Sequence, residues 1–360
     1  MLIFNGMIHT MDGSLIENGY IRVEGTTIVE VGPMSQLPEA GEEERLIDAR
    51  GGHVLPGFID AHCHVGLYGA GMGAPGDDLN EDSDPYTPEI RAVDGVNPLD
   101  DYFREARRAG VTCVHTGPGS TNPIGGQSVL MKTAGTVVDR MVVRPCAAMK
   151  FALGETPKNC HKGSGPVTRM GTAALIRREL QKGEGSLAAV AEGRLPAHFH
   201  AHRADDIVTA VRLSREFGLD CTIIHGTEGY LIADYLAKEG IPVITGPIMT
   251  DRSKPELANM IPENTAMLAG AGVQVAICTD HPETPISYLP LCAALAARAG
   301  MDEEEALAAI TINAACILGV DDRIGSLSAG KDADIVIMDG HPFHWRSRVT
   351  HVLIDGQEVQ

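Results

Sequence analysis

Positively charged residues are few in this sequence: 29 lysines and arginines stand against 48 aspartates and glutamates, which gives a formal net charge of -19. Because this charge repels phosphate backbones and anionic lipid surfaces, we expect neither nucleic acid nor a membrane as a partner. No stretch reaches the roughly 18 consecutive apolar residues of a membrane span. The N-terminal segment Met1–Gly6 has no basic leader, so we expect no secretion signal.

Closely spaced cysteine pairs are also missing. The eight cysteines contain no C-x-x-C pair, and several lie inside apolar runs, as small core residues do. This pattern favours reduced thiols, and we therefore expect a cytoplasmic protein. With 360 residues, of which 44% are hydrophobic, the chain is long enough for one large domain and a small accessory domain.

Both ends of the chain have the alternating apolar pattern of short β-strands. The pattern covers residues 2–4, 20–23, 28–31, 334–338 and 351–354. Strands this few and short form a stable sheet only when they pack together. We therefore predict one small discontinuous β-sandwich domain, built from residues 1–52 and 330–360.

Between these ends, residues 53–329 change to an alternation of strand and helix. Apolar, β-branched runs predict strands at 54–60, 111–116, 127–132, 145–151, 195–200, 221–225, 242–246 and 273–279. Helical patterns occur at 99–108, 173–181, 205–217, 230–238, 264–269, 289–299 and 303–318. Parallel strands that alternate with helices in this number form a (β/α)8 TIM barrel. We therefore predict an α/β fold in which such a barrel is inserted in the β-sandwich.

The segment Leu55–His64 is central to this prediction. An apolar run after a Pro-Gly pair ends in His62-Cys63-His64, which predicts a buried strand with two imidazoles at its C-terminal end. Side chains alternate along a strand, so His62 and His64 face one way and Cys63 the other. In a parallel barrel both imidazoles point inward at the functional face and form half of a metal site. Hydrogen-bonded core histidines are the alternative for this motif alone.

Residues of ligand type also end later predicted strands. His200 ends the fifth strand, with His202 two residues further on; His225 ends the sixth, and Asp280 follows the eighth. Lys150 lies near the end of the fourth strand, in apolar surroundings where an ammonium must be neutralised, paired or modified. Each residue alone fits a core histidine or a helix cap. Their shared position at strand ends predicts a common metal site.

Three connections at the C-terminal ends of predicted strands are unusually long: residues 65–98, 117–126 and 152–171. Long ordered loops in a compact domain usually form a binding site. The glycine-rich loop 117–126 lacks the G-K-[ST] ending of a phosphate loop. We predict that it lines a small-molecule substrate, with Asn122 and Gln127 as contacts; a flexible surface turn is the alternative.

Several motifs together give the sequence a specific resemblance over essentially its whole length. They are Pro56–His64, His200, His225, Thr279–Asp280, Gly325–Leu327 and Gly330–Asp334. With these motifs the chain resembles the amidohydrolase superfamily, in the broad group that includes imidazolonepropionase-like proteins. The resemblance implies a metal-dependent amidohydrolase that hydrolyses an amide, lactam or related C–N bond of a small polar substrate.

The resemblance also implies a set of metal ligands. His62, His64 and Asp280 would hold one divalent ion, and His200 and His225 would hold a second. Zinc is the expected metal, with iron or manganese as alternatives.

Lys150 matches the position at which many members carry an N-carboxylated lysine that bridges the two ions. Glu155, in the loop that follows, is a rival bridging carboxylate. In the implied reaction a metal-bound hydroxide attacks the substrate, and Asp280 acts as general acid and base.

Departures from the family pattern leave alternatives open. Family deaminases place a glutamate three residues after the fifth-strand histidine, where this chain has Arg203, so a mononuclear metal deaminase is the weaker alternative. His202 and His281 are extra histidines near the predicted site, and Arg169 and Arg203 fit a substrate carboxylate; structural roles fit all four equally well. A non-catalytic barrel relative would be expected to lose ligands, whereas every position is filled here. We expect an enzyme that acts on a small-molecule substrate and forms a homo-oligomer.

Overall fold

The computed structural model describes residues 1–13, 15–37, 39, 41 and 44–359, so the predicted domain end at residue 360 lies outside the described residues. The strands are β1 (Leu2–His9), β2 (Leu15–Glu24), β3 (Thr27–Pro33), β4 (Leu46–Asp48), β5 (His53–Pro56), β6 (Phe58–Cys63), β7 (Val111–Thr116), β8 (Ile124–Gln127), β9 (Val129–Lys132), β10 (Val142–Arg144), β11 (Met149–Ala152), β12 (Ala197–Ala201), β13 (Cys221–His225), β14 (Val243–Thr245), β15 (Val275–Ile277), β16 (Ile335–Met338), β17 (Val349–Ile354) and β18 (Gln357–Glu358). The helices are α1 (Asp101–Arg108), α2 (Val138–Met141), α3 (Glu155–Cys160), α4 (Arg169–Lys182), α5 (Ser186–Ala191), α6 (Ala204–Phe217), α7 (Ala233–Glu239), α8 (Asn264–Gly270), α9 (Leu289–Arg298), α10 (Glu303–Ala308) and α11 (Ile312–Ile317). No helix in the described ranges has the length and apolar character to cross a membrane. The eight cysteines are free thiols.

Strands from both ends of the described chain pair in one eight-stranded sheet, which we call the terminal sheet. Its order is β18-β17-β16-β5-β1-β2-β3, and β4 pairs with β1. β5 joins the two ends, because it is parallel to β1 and antiparallel to β16. The terminal sheet therefore includes residues 53–56, which the sequence analysis assigned to the inserted segment.

Gly57 separates two strands that the sequence predicted as one, at residues 54–60. β5 lies in the terminal sheet, whereas β6 begins at Phe58 and pairs with β7. A Cβ atom at residue 57 would lie 2.0 Å from Oγ1 of Thr112, so the close approach to β7 requires glycine. The prediction of a single strand is wrong, because this glycine lets an apolar run pass from one sheet to another.

The remaining strands form two mixed sheets, with the orders β10-β9-β7-β6 and β15-β14-β13-β12-β11-β8. β6 is parallel to β7, and β11 to β15 are parallel to one another. β9 is antiparallel to β7, and β8 is antiparallel to β11. The prediction of eight parallel strands is therefore wrong for the segment 124–132.

The short connection before this segment explains its direction. Residues 117–123 alone separate β7 from β8, whereas a parallel neighbour requires a crossover of about a dozen residues or more. Alternation of apolar side chains predicts a strand but carries no information about its direction. The start of β8 consequently lies beside the C-terminal end of β11, where Ile124 pairs with Phe151.

The predicted helices are present, but the last one, at residues 303–318, is divided into α10 and α11. Thr311 leaves the helical conformation, with φ -136° and ψ -100°, and its hydroxyl donates to the carbonyl oxygen of Leu307 at 2.6 Å. The carbonyl oxygens of Ala309 and Ile310 are then free to accept hydrogen bonds from β15 and β6, at 3.0 and 2.8 Å. The break therefore fastens this helix pair to two strands that lead to the predicted ligands.

The C-terminal ends of β6 and β15 meet where the edges of the two mixed sheets approach each other. The backbone N–H of Asp280 donates to the carbonyl oxygen of His62 at 3.1 Å, and that of His64 donates to His281 at 3.0 Å. Asp60, fully buried behind them, accepts a hydrogen bond from Oγ1 of Thr279 at 2.5 Å. Burial raises the pKa of Asp60 to about 7, although its hydrogen bonds oppose the shift. These bonds fix the two strand ends that carry the first predicted ligands.

Candidate metal centre

The first group of predicted ligands is His62, His64 and Asp280. Oδ1 of Asp280 lies 3.4 Å from Nε2 of His62 and 3.3 Å from Nε2 of His64. Ligand atoms of a tetrahedral ion with bonds of about 2.0–2.1 Å are about 3.3 Å apart. The three side chains are therefore spaced to share one ion.

The second group consists of His200, His202 and His225, whose ligand atoms lie within 4.8 Å of one another. His200 belongs to β12, His202 follows that strand, and His225 ends β13. The rings of His202 and His225 stack, with their centroids 4.6 Å apart. The structure thus places His202, which the sequence analysis assigned to the substrate, among candidate ligands.

Backbone carbonyls orient one imidazole in each group. Nδ1 of His64 lies 2.6 Å from the carbonyl oxygen of Gly117, and Nδ1 of His225 lies 2.7 Å from that of Gly246. Because a carbonyl oxygen only accepts, both Nδ1 atoms carry the proton. Nε2 of each ring is left with a lone pair for a metal.

Hydroxyl groups orient the other two imidazoles of the second group. Nδ1 of His200 lies 2.9 Å from Oγ of Ser120, and Nδ1 of His202 lies 2.8 Å from Oγ1 of Thr227. Nε2 of both rings is buried and has no hydrogen-bond partner among the described residues. Buried polar atoms rarely lack a partner, so these two nitrogens fit the ligand role of a metal site.

Burial keeps these imidazoles neutral. It lowers the pKa of His62, His200 and His202 well below the ordinary value and that of His225 to about 4. Burial alone would raise the pKa of Asp280, but the proximity of His225, His62 and His64 holds it well below its ordinary value. Neutral imidazoles with an ionised carboxylate are the donor set that zinc and similar divalent ions bind.

Lys150, in β11, lies beside the first group. Its Nζ is 3.2 Å from Nε2 of His62, and the residue is 4% exposed. Burial lowers the pKa of Lys150 to about 8, although Asp280 attracts the ammonium. The structure therefore brings this lysine within hydrogen-bond distance of a candidate ligand.

Glu155, the rival bridging residue of the sequence analysis, is the first residue of α3. Its backbone N–H donates to Oε2 of Glu256 at 3.0 Å. Its carboxylate belongs to neither group of candidate ligands found among the described residues. Glu155 contributes to this region through its backbone.

Glu256 is a residue of the site that sequence reasoning missed. It lies in the 3-10 turn Pro255–Leu257 and is 1% exposed. Its Oε1 is 3.8 Å from Nε2 of His202 and 4.0 Å from Nε2 of His200. The turn carries no recognisable motif, and its position after the C-terminal end of β14 was the one signal available.

Asn122, a predicted substrate contact, bonds to protein groups of all three long loops. Its amide nitrogen donates to the carbonyl oxygen of Glu81 at 2.6 Å and to Oγ1 of Thr87 at 2.8 Å. Its Oδ1 lies 2.7 Å from Nε2 of His161. The side chain therefore holds the loops together with both of its polar atoms.

Three other residues considered as substrate contacts form hydrogen bonds or ion pairs within the protein. The amide nitrogen of Gln127 donates to a proline carbonyl at 3.0 Å and a serine hydroxyl at 2.7 Å. Nε of Arg169 donates to both carboxylate oxygens of Asp206, at 3.2 and 2.9 Å. Arg203 forms an exposed ion pair with Asp205. For Arg203 this ion pair agrees with the structural role that the sequence analysis gave as the alternative.

His281, the last predicted substrate contact, packs beside the first group. Its Nδ1 accepts a hydrogen bond from the N–H of Ile286 at 3.2 Å, so its Nε2 carries the proton. The ring meets Tyr102 edge to face, with centroids 4.0 Å apart. Burial lowers the pKa of His281 to about 4, so the ring is neutral at pH 7.

Two candidate ligands occupy the left-handed region of backbone space. His225 has φ 73° and Asp280 has φ 53°. A non-glycine residue in this region costs on the order of 1–3 kcal/mol, and such residues cluster at functional sites. The surrounding hydrogen bonds stabilise this strained backbone and aim both side chains at the centre.

A cavity of about 220 Å³ adjoins His225. Its walls include the apolar side chains of Ile248 and Met260 and the guanidinium of Arg252. Arg252 is held by the carbonyl oxygens of its own loop, at 3.2 and 2.7 Å. His225 is the member of the second group that borders this cavity.

Comparison with known proteins identifies the family. Residues 182–359 match the sequence model of the Amidohydrolase family. An amidohydrolase from Thermotoga maritima MSB8 with a crystal structure is 39% identical, aligns over 100% of this chain and 99% of that chain, and has a TM-score of 0.95. The chain belongs to the amidohydrolase superfamily.

Two further relatives of this amidohydrolase support the same class. Amidohydrolase tasK from Hapsidospora irregularis is 30% identical over 94% of the chain, which spans 39% of tasK. Imidazolonepropionase from Geobacillus kaustophilus (strain HTA426) is 29% identical over 91% of the chain and 85% of that protein. The resemblance predicted from motifs is confirmed, and the chain is placed among hydrolases that act on carbon–nitrogen bonds.

Proposed function

We propose that this amidohydrolase uses two divalent ions, with zinc the expected metal, to hydrolyse an amide, lactam or related C–N bond of a small polar molecule. The observation that carries the proposal is the convergence of the two ligand groups, since Oδ2 of Asp280 in the first group lies 4.0 Å from Nε2 of His225 in the second. His62, His64 and Asp280 would hold one ion. His200 and His225 would hold the other.

A divalent ion bound by such side chains lowers the pKa of a coordinated water towards about 7 and polarises a substrate carbonyl. Asp280 supplies the proton transfers. Its carboxylate is ionised at neutral pH, so it takes a proton from the attacking water and returns it to the leaving nitrogen. The histidines around Asp280 are buried, which limits the contact of these transfers with bulk water.

Lys150 is proposed to be N-carboxylated and to bridge the two ions. A pKa of about 8 leaves about a tenth of the amine neutral at pH 7, and the neutral amine is the form that adds to carbon dioxide. The product carries two carboxylate oxygens in place of an ammonium. This replaces a cation near His62 with the anion that two metal ions require.

The proposed architecture explains why the ligands meet. β6, β7 and β11 to β15 close with the reversed segment 124–132 into a TIM-type barrel, whose catalytic face is at the C-terminal ends of the parallel strands. The terminal sheet, which includes β5 together with strands from the predicted segments 1–52 and 330–360, belongs to the second domain, which we propose to be a β-sandwich. The hydrogen bonds between the ends of β6 and β15 support closure.

The test combines metal analysis with substrate screening. The purified chain should contain about two divalent ions and should hydrolyse at least one member of a panel of small amides, lactams and dipeptides. His64→Asn, with the same fold by circular dichroism, is the control for metal-dependent activity. A single ion together with ammonia release from an amino-substituted ring would replace the proposal with a mononuclear deaminase. Absence of both metal and activity would reject the enzyme mechanism.

A further inference from the structure

A buried carboxylate faces two histidines of the second group. Glu256 is 1% exposed, and its Oε1 lies near the histidines on one side and 3.2 Å from the ammonium of Lys254 on another. Nε2 of His200 and Nε2 of His202, within 4.0 Å of it, are buried. A carboxylate oxygen thus approaches two imidazole nitrogens that have no hydrogen-bond partner among the described residues. Such a cluster requires a cation or shared protons.

The position of Glu256 is built from several elements. Its Oε2 accepts a hydrogen bond from the backbone N–H of Glu155, at 3.0 Å. Gly154, with φ 90°, lets the chain pass close by, since a Cβ atom there would lie 2.7 Å from Oε2. Lys254 Nζ lies 3.2 Å from Oε1, and this ion pair supplies the charge balance on the solvent side. The orientation of the carboxylate is therefore fixed by the fold.

The distances are close to those of a metal site. Ligand atoms around a tetrahedral ion lie about 3.3 Å apart, whereas Oε1 is 3.8 Å from His202 and 4.0 Å from His200. A movement of about 0.5 Å, well within side-chain motion, brings the carboxylate into the coordination shell. Attraction to His202 and Lys254, together with hydrogen bonds, outweighs burial and lowers the pKa of Glu256, so the carboxylate is ionised at neutral pH.

We propose that Glu256 and His202 are ligands of the second ion, which is then held by a three-histidine, one-glutamate set together with His200 and His225. This inference rests on the proposed two-ion function and deepens it. It gives the second ion two protein ligands in addition to His200, His225 and the proposed Lys150 bridge. The second ion would then have both nitrogen and oxygen ligands, a combination that suits zinc, iron and manganese.

The test is a comparison of metal content in Glu256→Gln and in Glu263→Gln, an exposed glutamate at the start of α8. After loading with zinc and removal of free metal, the wild-type chain and Glu263→Gln should hold about two ions. Glu256→Gln should hold about one ion. By calorimetry, the affinity of the first site should be unchanged, and that of the second site should be at least tenfold lower. Two ions of wild-type affinity in a folded Glu256→Gln chain would overturn the inference.

A measurement on the wild-type chain covers the case in which Glu256→Gln fails to fold. In a crystal structure of the zinc-loaded protein, Oε1 of Glu256 and Nε2 of His202 should each lie within about 2.2 Å of the second ion. Separations beyond 3 Å would overturn the inference. The outcome is distinct from that of the proposed function: loss of one ion in Glu256→Gln without any amide hydrolysis by wild type rejects the function and keeps the site. Amide hydrolysis by the wild type, with unchanged metal content in Glu256→Gln, supports the function and rejects the site.

Discussion

Oγ of Ser120 lies 2.9 Å from Nδ1 of His200. The two residues come from different parts of the chain, since Ser120 lies in the connection between β7 and β8 and His200 lies in β12. A partner at Nδ1 fixes the orientation of an imidazole ligand and the nitrogen that carries its proton. The hydroxyl of Ser120 therefore determines where Nε2 of His200 points.

Ser120→Ala should weaken the second ion without unfolding the protein. Loss of such a hydrogen-bond partner usually costs about 10–100-fold in metal affinity, and we expect a loss in this range by competitive titration with a chelator. Ser83→Ala, at an exposed serine of the loop 65–98, is the matched control and should keep wild-type affinity. Equal affinities in the two variants would show that Ser120 has no part in orienting the ligand.

His62→Asn and His64→Asn should each remove tight binding of the first ion and abolish activity. Both imidazoles lie within 3.4 Å of Oδ1 of Asp280, at ligand spacing. The measurement is metal content per folded chain, with the fold checked by circular dichroism. Unchanged metal content in either variant would contradict the assignment of that histidine as a ligand.

Lys150→Ala should lose most of the activity and at least one ion, because the proposed bridging carboxylate is absent. A short-chain carboxylate in the buffer should restore part of both, since its oxygens occupy the space of the missing group. Glu155→Gln should retain two ions, as its carboxylate belongs to neither ligand group. An unmodified Lys150 by mass spectrometry, with metal loss in Glu155→Gln, would transfer the bridge to Glu155.

Lys132→Met should destabilise the whole chain by about 3–5 kcal/mol, the usual cost of breaking a buried ion pair. Lys132 Nζ lies 2.5 Å from Oδ2 of Asp334 and 3.1 Å from Oδ2 of Asp332, and Asp334 is 4% exposed. The substitution leaves a buried carboxylate without its cation. Urea unfolding measures the change, and Lys238→Met, at an exposed lysine of α7, should change stability by less than about 0.5 kcal/mol. Similar values for the two variants would contradict the prediction.

Acid should weaken the fold through a pair of histidines in the terminal sheet, His9 of β1 and His53 of β5. Nε2 of His9 lies 2.8 Å from Nδ1 of His53, and burial, together with the nearby His341, lowers the pKa of His9 to about 4. In the unfolded chain His9 binds a proton near pH 6.5. Its contribution to stability is therefore complete above pH 6.5 and is lost as the pH falls to about 4.

His9→Gln should reduce this pH dependence. Between pH 7 and pH 4.5, we expect the free energy of unfolding to fall by about 1–2 kcal/mol less in the variant than in the wild type. Denaturant unfolding at several pH values gives the comparison, in which the histidines of the metal centre contribute equally to both proteins. Parallel curves would show that His9 does not titrate on unfolding.

The residues of the first ligand group were predictable because their pattern is local. His62 and His64 are two positions apart on a strand, and that spacing alone places both imidazoles on one side. Asp280 and His225 end apolar runs in the same way. In each case the strand, its end and the candidate ligand lie within a few residues of one another in the sequence.

Glu256 and the direction of the segment 124–132 were not predictable for the opposite reason. Glu256 reaches the centre from a 3-10 turn that is positioned by Gly154 and Glu155, about a hundred residues earlier in the chain. The direction of a strand is set by its neighbours and connections, because apolar alternation is the same in both directions. Gly57 likewise divides an apolar run only through its close contact with Thr112.

The antiparallel direction of the segment 124–132 also affects how much conformational entropy the protein loses when a ligand binds. The connection 117–123 leaves β7 and enters β8 directly, so a short piece of chain is anchored by strands at both ends. A short anchored loop samples few conformations and has little entropy left to lose on binding. Ser120 is thus held in place by the fold, and the orientation of His200 for the proposed ion is a consequence of strand direction.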